Sequence, residues 1–223
     1  MEPAPSIPPI VKEFMEVFTG LGKLPVEHTI KLATGSNYVD PVVSVAGRIP
    51  FRLEDPVYRK LDQMEAEGII VPVTEPTEWV SRMLVASKPD GDIRICLDPS
   101  ELNKAIQRQH FAVPTVEQLF AKIGKAKFFC SLDAASGFYQ IPLSTESSFL
   151  CTMATPRGRY RFLRLPFGLK SAPEVYLQTM SELFGDLTGV IIYFDDFLVT
   201  GETREELDDN LRKVLERCRL HII

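Results

Sequence analysis

The segment GVIIYFDDFLVTG, from Gly189 to Gly201, places two adjacent carboxylates, Asp195 and Asp196, inside a run of apolar and aromatic residues. Burying an unpaired carboxylate is costly, so the pair lies either on a solvated turn or beside a bound cation. Carboxylate oxygens are hard ligands that suit Mg²⁺, which usually takes further oxygens from a substrate phosphate. The segment therefore raises the possibility of phosphate chemistry.

A third carboxylate, Asp133, ends the apolar segment KFFCSLD, 62 residues before Asp195. If the two segments form neighbouring strands, all three carboxylates meet at one edge of a sheet. Two metal ions about 4 Å apart could there stabilise the attacking and leaving oxygens of a phosphoryl transfer. The alternative is a solvated turn for the pair and a turn or helix cap for Asp133. A two-metal nuclease or phosphatase would use the same carboxylates.

Two basic side chains lie on a predicted hairpin in SKPDGDIRICLD, with Lys88 at its base and Arg94 on its second strand. Lysine and arginine are the usual ligands of phosphates, so both could point to a triphosphate. Taken alone, either residue is more simply explained as a charge on a solvated strand. After Asp133, the segment from Ala134 to Phe138 predicts a short turn whose backbone amides could hold phosphate oxygens.

Aromatic and glycine residues could complete a nucleotide site. Phe138 would face a sugar, or else pack in the core. In LPFGLKSAPEVY, Phe167 and Gly168 could form the floor under a base pair, because glycine lets backbone approach a planar ligand closely. The structural alternative is a plain loop between a strand and a helix.

Turn and capping signals predict the elements that position these residues. Hairpins are expected from VSRMLVAS with IRICLD, from FLCTMATP with RYRFLRL, and around the two adjacent aspartates. Antiparallel strands mixed with helices indicate an α+β fold with helices on one face of a sheet. A short helix is predicted at Pro9–Phe18, and a longer one begins at an Asp55 cap, with Pro56 at its first helical position, and ends at Gly68. Three further helices begin with capping boxes. They are Thr115–Gln118, with a helix that ends at Gly124, Ser171–Glu174, with a helix to about Phe184, and Thr203–Glu206, with a helix to about Arg219.

Composition narrows the class of protein. The 223 residues are 45% hydrophobic and 25% charged, and they contain no apolar run long enough to span a membrane and no visible secretory signal. Four cysteines without zinc or disulfide spacing indicate a reduced, intracellular compartment. The net charge is −5, yet residues 82–170 carry 13 Lys and Arg against 7 Asp and Glu, a local charge of +6. A basic middle can present a positive track to a phosphate backbone, or reflect chance clustering on solvated faces.

These segments resemble, in their order, the polymerase motifs of the reverse transcriptase of gypsy-type LTR retrotransposons. The motifs are RICLDPSELNKAI, SLDAASGFYQIPL, RFLRLPFGLKSAP and VIIYFDDFLVTG, the last being similar to the Tyr-x-Asp-Asp signature. The resemblance covers about residues 20–219. It implies a right-hand polymerase: a palm with a ferredoxin-like antiparallel sheet and helices on one face, plus fingers, with the thumb absent.

The resemblance also implies roles for individual residues. The expected reaction is attack of a primer 3′-OH on the α-phosphate of a dNTP, with Mg²⁺ or Mn²⁺ as cofactor and an RNA or DNA primer–template as partner. The implied roles are catalysis and metal binding for Asp133, Asp195 and Asp196, dNTP binding for Lys88, Arg94, Ala134, Phe138, Phe167 and Gly168, with Phe138 selecting deoxyribose, and template contact for Trp79 and Ser81.

The expected domains are an N-terminal arm or linker at 1–50, mainly fingers with the start of the palm at 51–130, and mainly palm at 131–223. The thumb, connection and RNase H regions are expected to belong to a larger polyprotein, and the expected location is cytoplasmic, including virus-like particles. Arg82, Ser100 and Leu177 depart from the residues usual in the family. These departures keep an alternative open, a non-catalytic retroelement remnant that binds nucleic acid or a protein partner.

Overall fold

The computed structural model describes residues 8–87, 91–107, 111, 115–193 and 196–221, which fall into two units. Each unit draws on separate stretches of the chain. Unit 1 comprises Met1–Pro25, Phe111–Gly137 and Tyr176–Ile223, and unit 2 comprises Val26–His110 and Phe138–Val175. The division into arm, fingers and palm at residues 50 and 130 stays a prediction.

Helices are mixed with mostly antiparallel strands along the chain, as the α+β prediction expects. The strands are β1 (Ile70–Val73), β2 (Ser81–Ser87), β3 (Ile93–Asp98), β4 (Phe128–Asp133), β5 (Thr152–Thr155), β6 (Gly158–Phe162), β7 (Val190–Tyr193) and β8 (Asp196–Gly201). The helices are α1 (Pro9–Glu13), α2 (Phe51–Ala66), α3 (Ser100–Ala105), α4 (Val116–Ile123), α5 (Thr145–Leu150), α6 (Ala172–Phe184) and α7 (Arg204–His221), with short 3₁₀ turns at Met15–Phe18, Gly35–Asn37 and Gly137–Gln140. Within the described ranges, no helix is both long and apolar enough to cross a membrane.

Unit 1 is built on an antiparallel sheet in the order β4-β8-β7, so the predicted hairpin of β7 and β8 is confirmed. Helix α7 packs against β8 and β4. Its buried residues recur every three or four positions, which gives one apolar stripe along the helix; they include Leu207, Leu211 and Val214. The backbone N–H of Glu206 donates to the hydroxyl of Thr203, as the predicted cap requires.

Residues Pro9–Phe18, the described helical part of the predicted N-terminal arm, pack on the same helix. The ring of Phe14 is 1% exposed, and the guanidinium groups of Arg219 and Arg212 lie 4.2 and 5.8 Å from its centroid. Arg219 also pairs with Glu16 at 2.6 Å, and Arg212 pairs with Glu13. The arm is therefore fixed by one buried aromatic ring and two ion pairs.

Unit 2 is built on a five-stranded sheet in the order β1-β6-β5-β2-β3. The predicted hairpins β2–β3 and β5–β6 are both confirmed. Neighbouring strands are antiparallel except β2 and β5, which pair in parallel where Ser81 meets Met153. On β3 the side chains of Ile93, Ile95 and Leu97 are buried, so Arg94 between them points to solvent.

Helix α2 begins one turn earlier than predicted, at Phe51, with Pro50 rather than Asp55 as its first cap. Half-buried Leu53 extends the apolar stripe of Val57 and Leu61 by one turn, which favours the earlier start. Pro56 is then inside the helix, where it removes one backbone N–H donor.

The segment FLCTMATP is only partly a strand. Its first two residues, Phe149 and Leu150, end helix α5, and β5 begins at Thr152. The hydroxyl of Ser144 accepts a hydrogen bond from the backbone N–H of Ser147 and so caps this short helix.

The capping box predicted for Ser171 and Glu174 at the start of α6 is not formed. The hydroxyl of Ser171 has no hydrogen-bond partner.

Candidate active site

Asp133 and Asp196 lie directly opposite each other on adjacent antiparallel strands. Asp133 is the last residue of β4 and Asp196 is the first of β8. Residues opposite each other in an antiparallel pair have Cα atoms about 4.5–5.5 Å apart and side chains on the same face. Both carboxylates are exposed. The expectation that they meet at one end of a sheet is met, while their role in catalysis stays a prediction.

The apolar residues behind the two aspartates fix this register. Phe197, next to Asp196, is 5% exposed and packs edge-on against Phe184, with ring centroids 5.0 Å apart. Because side chains alternate between the faces of a strand, burying Phe197 turns its neighbour to the opposite face. If the register of β8 shifted by one residue, the carboxylate of Asp196 would be buried. The core of unit 1 therefore keeps Asp196 on the solvent-exposed face.

The donor set of this pair fits a divalent cation. Two like charges in register repel each other, and a shared cation relieves that repulsion. Asp195, which would supply a third carboxylate, lies outside the described residues. In the part of the chain that is described, no group of three or more His, Cys, Asp or Glu residues is placed to hold a metal ion.

In the turn after β4, one of the backbone amides that were expected to hold phosphate is used within the turn, and the phosphate-binding role of the others stays a prediction. The backbone N–H of Gly137 donates to the carbonyl of Ala134 at 3.1 Å, so this amide is used within the turn. A Cβ atom at Gly137 would lie 2.7 Å from the ring of Tyr176, and only glycine fits there. Ser136 adopts a left-handed conformation with φ of +52°. The turn is set by close packing, and Ala134 itself is half-buried.

Unit 2 brings three of the predicted nucleotide-binding residues together. The rings of Phe138 and Phe167 have centroids 4.9 Å apart, and the guanidinium of Arg94 lies 4.9 Å from the centroid of Phe167. Tyr139 packs edge-on against Phe167 at 5.1 Å. Phe138 and Phe167 are half-buried and Arg94 is exposed. We call Arg94, Phe138, Tyr139 and Phe167 the aromatic cluster.

Tyr139 is a structural member of this cluster. Its hydroxyl donates to the carbonyl of Ile95 at 3.3 Å, and burial raises the pKa of the phenol far above its ordinary value. It therefore stays protonated and is unsuited to moving a proton. The cluster can bind charge through Arg94 and can pack against a sugar or base through its two phenylalanines.

Gly168 lies where only glycine can. Its φ is +106°, and a Cβ atom there would lie 2.6 Å from the carbonyl oxygen of Leu97. Asn103, which the sequence did not suggest as a site residue, holds this loop: its side-chain amide donates to the carbonyl of Gly168 and accepts from the backbone N–H of Lys170, each at 2.9 Å. No local pattern could reveal this contact, because its partners are more than 60 residues apart in the chain.

The other predicted residues are placed differently. Trp79 and Ser81 are 3% and 7% exposed, so their burial does not favour direct contact of these side chains with a template. Lys88 lies outside the described residues. Three arginines from the basic middle of the chain contact protein groups instead of standing free: Arg157 pairs with Asp62, Arg159 donates to Thr77, and Arg161 donates to Ser148.

Comparison of the chain with known proteins identifies a family and several similar proteins. The family model described as "Reverse transcriptase (RNA-dependent DNA polymerase)" matches residues 86–222. An uncharacterized protein of Caenorhabditis elegans is 33% identical over 211 residues, which cover 93% of this chain and 16% of that protein. The retrovirus-related Pol polyprotein from transposon opus of Drosophila melanogaster is 30% identical over 92% of this chain and 21% of its own length. The chain thus spans about a fifth of these curated relatives.

Solved structures show the same fold. The native protease–reverse transcriptase of prototype foamy virus superposes with a TM-score of 0.84 at 22% identity, over 96% of this chain and 29% of that chain. The foamy viral protein in complex with dsDNA gives a TM-score of 0.83 at 19% identity, over 96% and 45% of the two chains. The predicted α+β palm and fingers fold is therefore confirmed.

Proposed function

This chain belongs to the reverse transcriptase family, and we propose that it forms the palm and fingers of an RNA-directed DNA polymerase. The reaction would transfer a nucleotide from a dNTP to a primer 3′-OH on an RNA or DNA template. One observation carries the proposal: two exposed carboxylates, Asp133 and Asp196, in register at one end of an antiparallel sheet. The whole protein would be a longer polyprotein, of which this chain spans the part that matches.

We propose that Asp133, Asp195 and Asp196 hold Mg²⁺ or Mn²⁺. When bound, these ions would neutralise charge on the triphosphate and favour the attacking form of the primer hydroxyl. The carboxylates themselves contribute oxygen ligands that need no induced change, because the register of β4 and β8 already brings two of them together. The cost is repulsion between the two side chains when no cation is present.

The aromatic cluster would bind the incoming nucleotide. Arg94 would pair with phosphate oxygens, since a guanidinium offers paired N–H donors that match phosphate. Phe138 would pack against the sugar and exclude a ribose 2′-OH, and Phe167 with Gly168 would lie under the base. The packing of Phe138 on Phe167 supports this assignment, because a ring held by neighbours discriminates by shape better than a mobile one.

Primer extension on poly(rA) with an oligo(dT) primer, with Mg²⁺ or Mn²⁺, tests the proposal. We expect dTTP incorporation by the wild-type chain and a loss of at least about 100-fold in the Asp133→Asn and Asp196→Asn variants. Asp208→Asn is the control, because Asp208 is a half-buried carboxylate of α7 that pairs with Arg204, away from the candidate site in the chain. Equal, background-level incorporation by wild type and both site variants would reject catalysis by this chain. Salt-dependent binding of primer–template without incorporation would point instead to the binding-only alternative.

A further inference from the structure

Asn103 joins two parts of unit 2 that are distant in the chain. It lies in α3, directly after β3, and its half-buried side chain bonds to two backbone groups of the loop at residues 167–170. Its Nδ2 donates to the carbonyl of Gly168, and its Oδ1 accepts from the N–H of Lys170. One planar amide therefore fixes both a carbonyl and an N–H of the same loop.

The helix that carries Asn103 is itself well anchored. Leu102 and Ala105 are 0% and 2% exposed, and the N–H of Asn103 donates to the carbonyl of Pro99 at 2.7 Å. We call the two hydrogen bonds from Asn103 to the loop the clamp. Because the helix that carries Asn103 is held in place, loss of the clamp would free the loop at residues 167–170 and not the helix.

The bonds to Asn103 fix an orientation. Gly168 is exposed, so water could satisfy its carbonyl if the amide were absent. The hydrogen bond from Asn103 is therefore not needed to satisfy the Gly168 carbonyl. Unlike water, the amide fixes the direction of the Gly168 peptide, whose backbone has a positive φ and lies close to the carbonyl oxygen of Leu97.

The clamped loop carries Phe167, the central ring of the aromatic cluster. Phe167 precedes Gly168 and contacts Phe138, Tyr139 and Arg94 at about equal distances, 4.9 to 5.1 Å. A rotation of the Gly168 peptide would carry the ring away from Phe138. Phe138 is the residue to which sugar selection is assigned, and it would then lose the neighbour that supports it.

We infer that Asn103 is a positioning residue that holds Phe167 against Phe138 and Arg94, and so sets how strongly the nucleotide pocket excludes a ribose 2′-OH. This inference rests on the proposed function. It predicts that loss of the clamp weakens dNTP binding. It also predicts, as a separate effect, that the affinity for dNTP exceeds the affinity for rNTP by a smaller factor.

Two variants and one control test the clamp itself. Asn103→Ala removes both bonds, and because alanine favours a helix more than asparagine does, α3 should keep its fold. Asn103→Asp keeps an acceptor for Lys170 but places negative charge beside the Gly168 carbonyl. Asn37→Ala is the control, since Asn37 is an exposed asparagine of a 3₁₀ turn. Hydrogen exchange at the Lys170 amide should be about fivefold to tenfold faster in Asn103→Ala, less changed in Asn103→Asp, which keeps the acceptor, and unchanged in the control.

Nucleotide affinity is then measured without chemistry, on a complex of the full chain with poly(rA) and a dideoxy-terminated oligo(dT) primer in Mg²⁺. We expect Asn103→Ala to raise the Kd for dTTP about tenfold and to reduce the ratio of UTP to dTTP dissociation constants several-fold. Faster exchange at Lys170 with an unchanged ratio would overturn the positioning role, as would unchanged exchange.

The two proposals fail in different ways. A wild-type chain that forms the dTTP complex but cannot extend an ordinary primer rejects the proposed catalysis, while the inference is still decided by the affinity ratio. A wild-type chain that binds no dTTP in this complex overturns both, because no nucleotide pocket then exists for Asn103 to position.

Discussion

Asp133 and Asp196 are cross-strand partners: the last residue of β4 faces the first residue of β8, and both side chains are exposed. Paired carboxylates at this position oppose folding of the sheet that carries them, since like charges directly opposite each other are destabilising. A site that binds cations accepts this cost. The relationship can therefore be tested through stability as well as through activity.

Replacing either aspartate should stabilise the metal-free protein. In EDTA, Asp133→Asn and Asp196→Asn should raise the free energy of unfolding by up to about 1 kcal/mol, because the repulsion is removed. Adding Mg²⁺ or Mn²⁺ should raise the melting temperature of the wild type more than that of either variant. Thermal unfolding with and without the cation measures both effects. Asp208→Asn should respond to cation as the wild type does, and variants less stable than the wild type in EDTA would contradict this account.

The ring of Phe138 should decide the choice of sugar. Phe138→Ala opens the space beside Phe167, so we expect incorporation of UTP relative to dTTP to rise about tenfold or more. The measurement is the ratio of kcat/KM for the two nucleotides on poly(rA) with an oligo(dT) primer. Phe120→Ala is the control, because Phe120 is 66% exposed on α4. A similar change in both variants would rule out a specific role for Phe138.

Gly168 should tolerate no side chain, for a reason that separates conformation from space. Gly168 and Gly158 have similar positive φ values, +106° and +115°, but a Cβ atom would clash with Leu97 only at Gly168. Gly168→Ala should therefore cost about 1–3 kcal/mol more than Gly158→Ala. Urea unfolding followed by the fluorescence of Trp79, the single tryptophan and a buried residue of unit 2, reports the difference. Equal losses would show that backbone conformation alone matters at Gly168.

Phe14 should fix the N-terminal arm to α7. Removing its ring leaves a cavity and abolishes two cation–π contacts, so Phe14→Ala should lower the stability of unit 1 by about 3 kcal/mol. Hydrogen exchange along α7 measures this effect. Phe18→Ala should cost less than about 1 kcal/mol, because Phe18 is 45% exposed. Unaltered exchange of α7 in Phe14→Ala would mean that the arm does not support the helix.

The cysteines should differ in reactivity according to burial. Burial raises the pKa of Cys218 to about 12 and that of Cys151 further, whereas Cys96 and Cys130 are only half-buried. At pH 8, Cys218 should hold on the order of 1,000-fold less thiolate than a free cysteine. Alkylation of the native chain with iodoacetamide, read by mass spectrometry, should modify Cys96 and Cys130 first. In urea all four should react alike, and early modification of Cys151 in the native chain would contradict its burial.

Local signals predicted the elements of the site because they depend on neighbours in the chain. Thr115 and Gln118 form the capping box that opens α4, with both reciprocal bonds present. The turn residues between β2 and β3 predicted that hairpin correctly. The apolar runs on both sides of the two adjacent aspartates predicted a hairpin there, and the meeting with Asp133 followed from placing two strand ends together.

Contacts between distant segments escaped prediction for the same reason. The parallel pairing of β2 with β5 joins Ser81 to Met153, and nothing near either residue encodes the other. Trp79 is buried, which its local sequence did not indicate, and its contact with a template stays a prediction. The contacts of Asn103 with the loop at residues 167–170 belong to the same class.

The interleaving of the two units has a consequence for synthesis on the ribosome. Strand β4 emerges before the second stretch of unit 2, Phe138–Val175, but its partner β8 begins only at Asp196. A nascent chain can therefore complete unit 2 at Val175 while β4, with Phe128 and Phe129 exposed on it, still lacks its neighbour. Unpaired strands with exposed aromatic side chains are prone to aggregate. Slow or stalled translation between Val175 and Asp196 should therefore lower the yield of soluble protein more than stalling after β8 does.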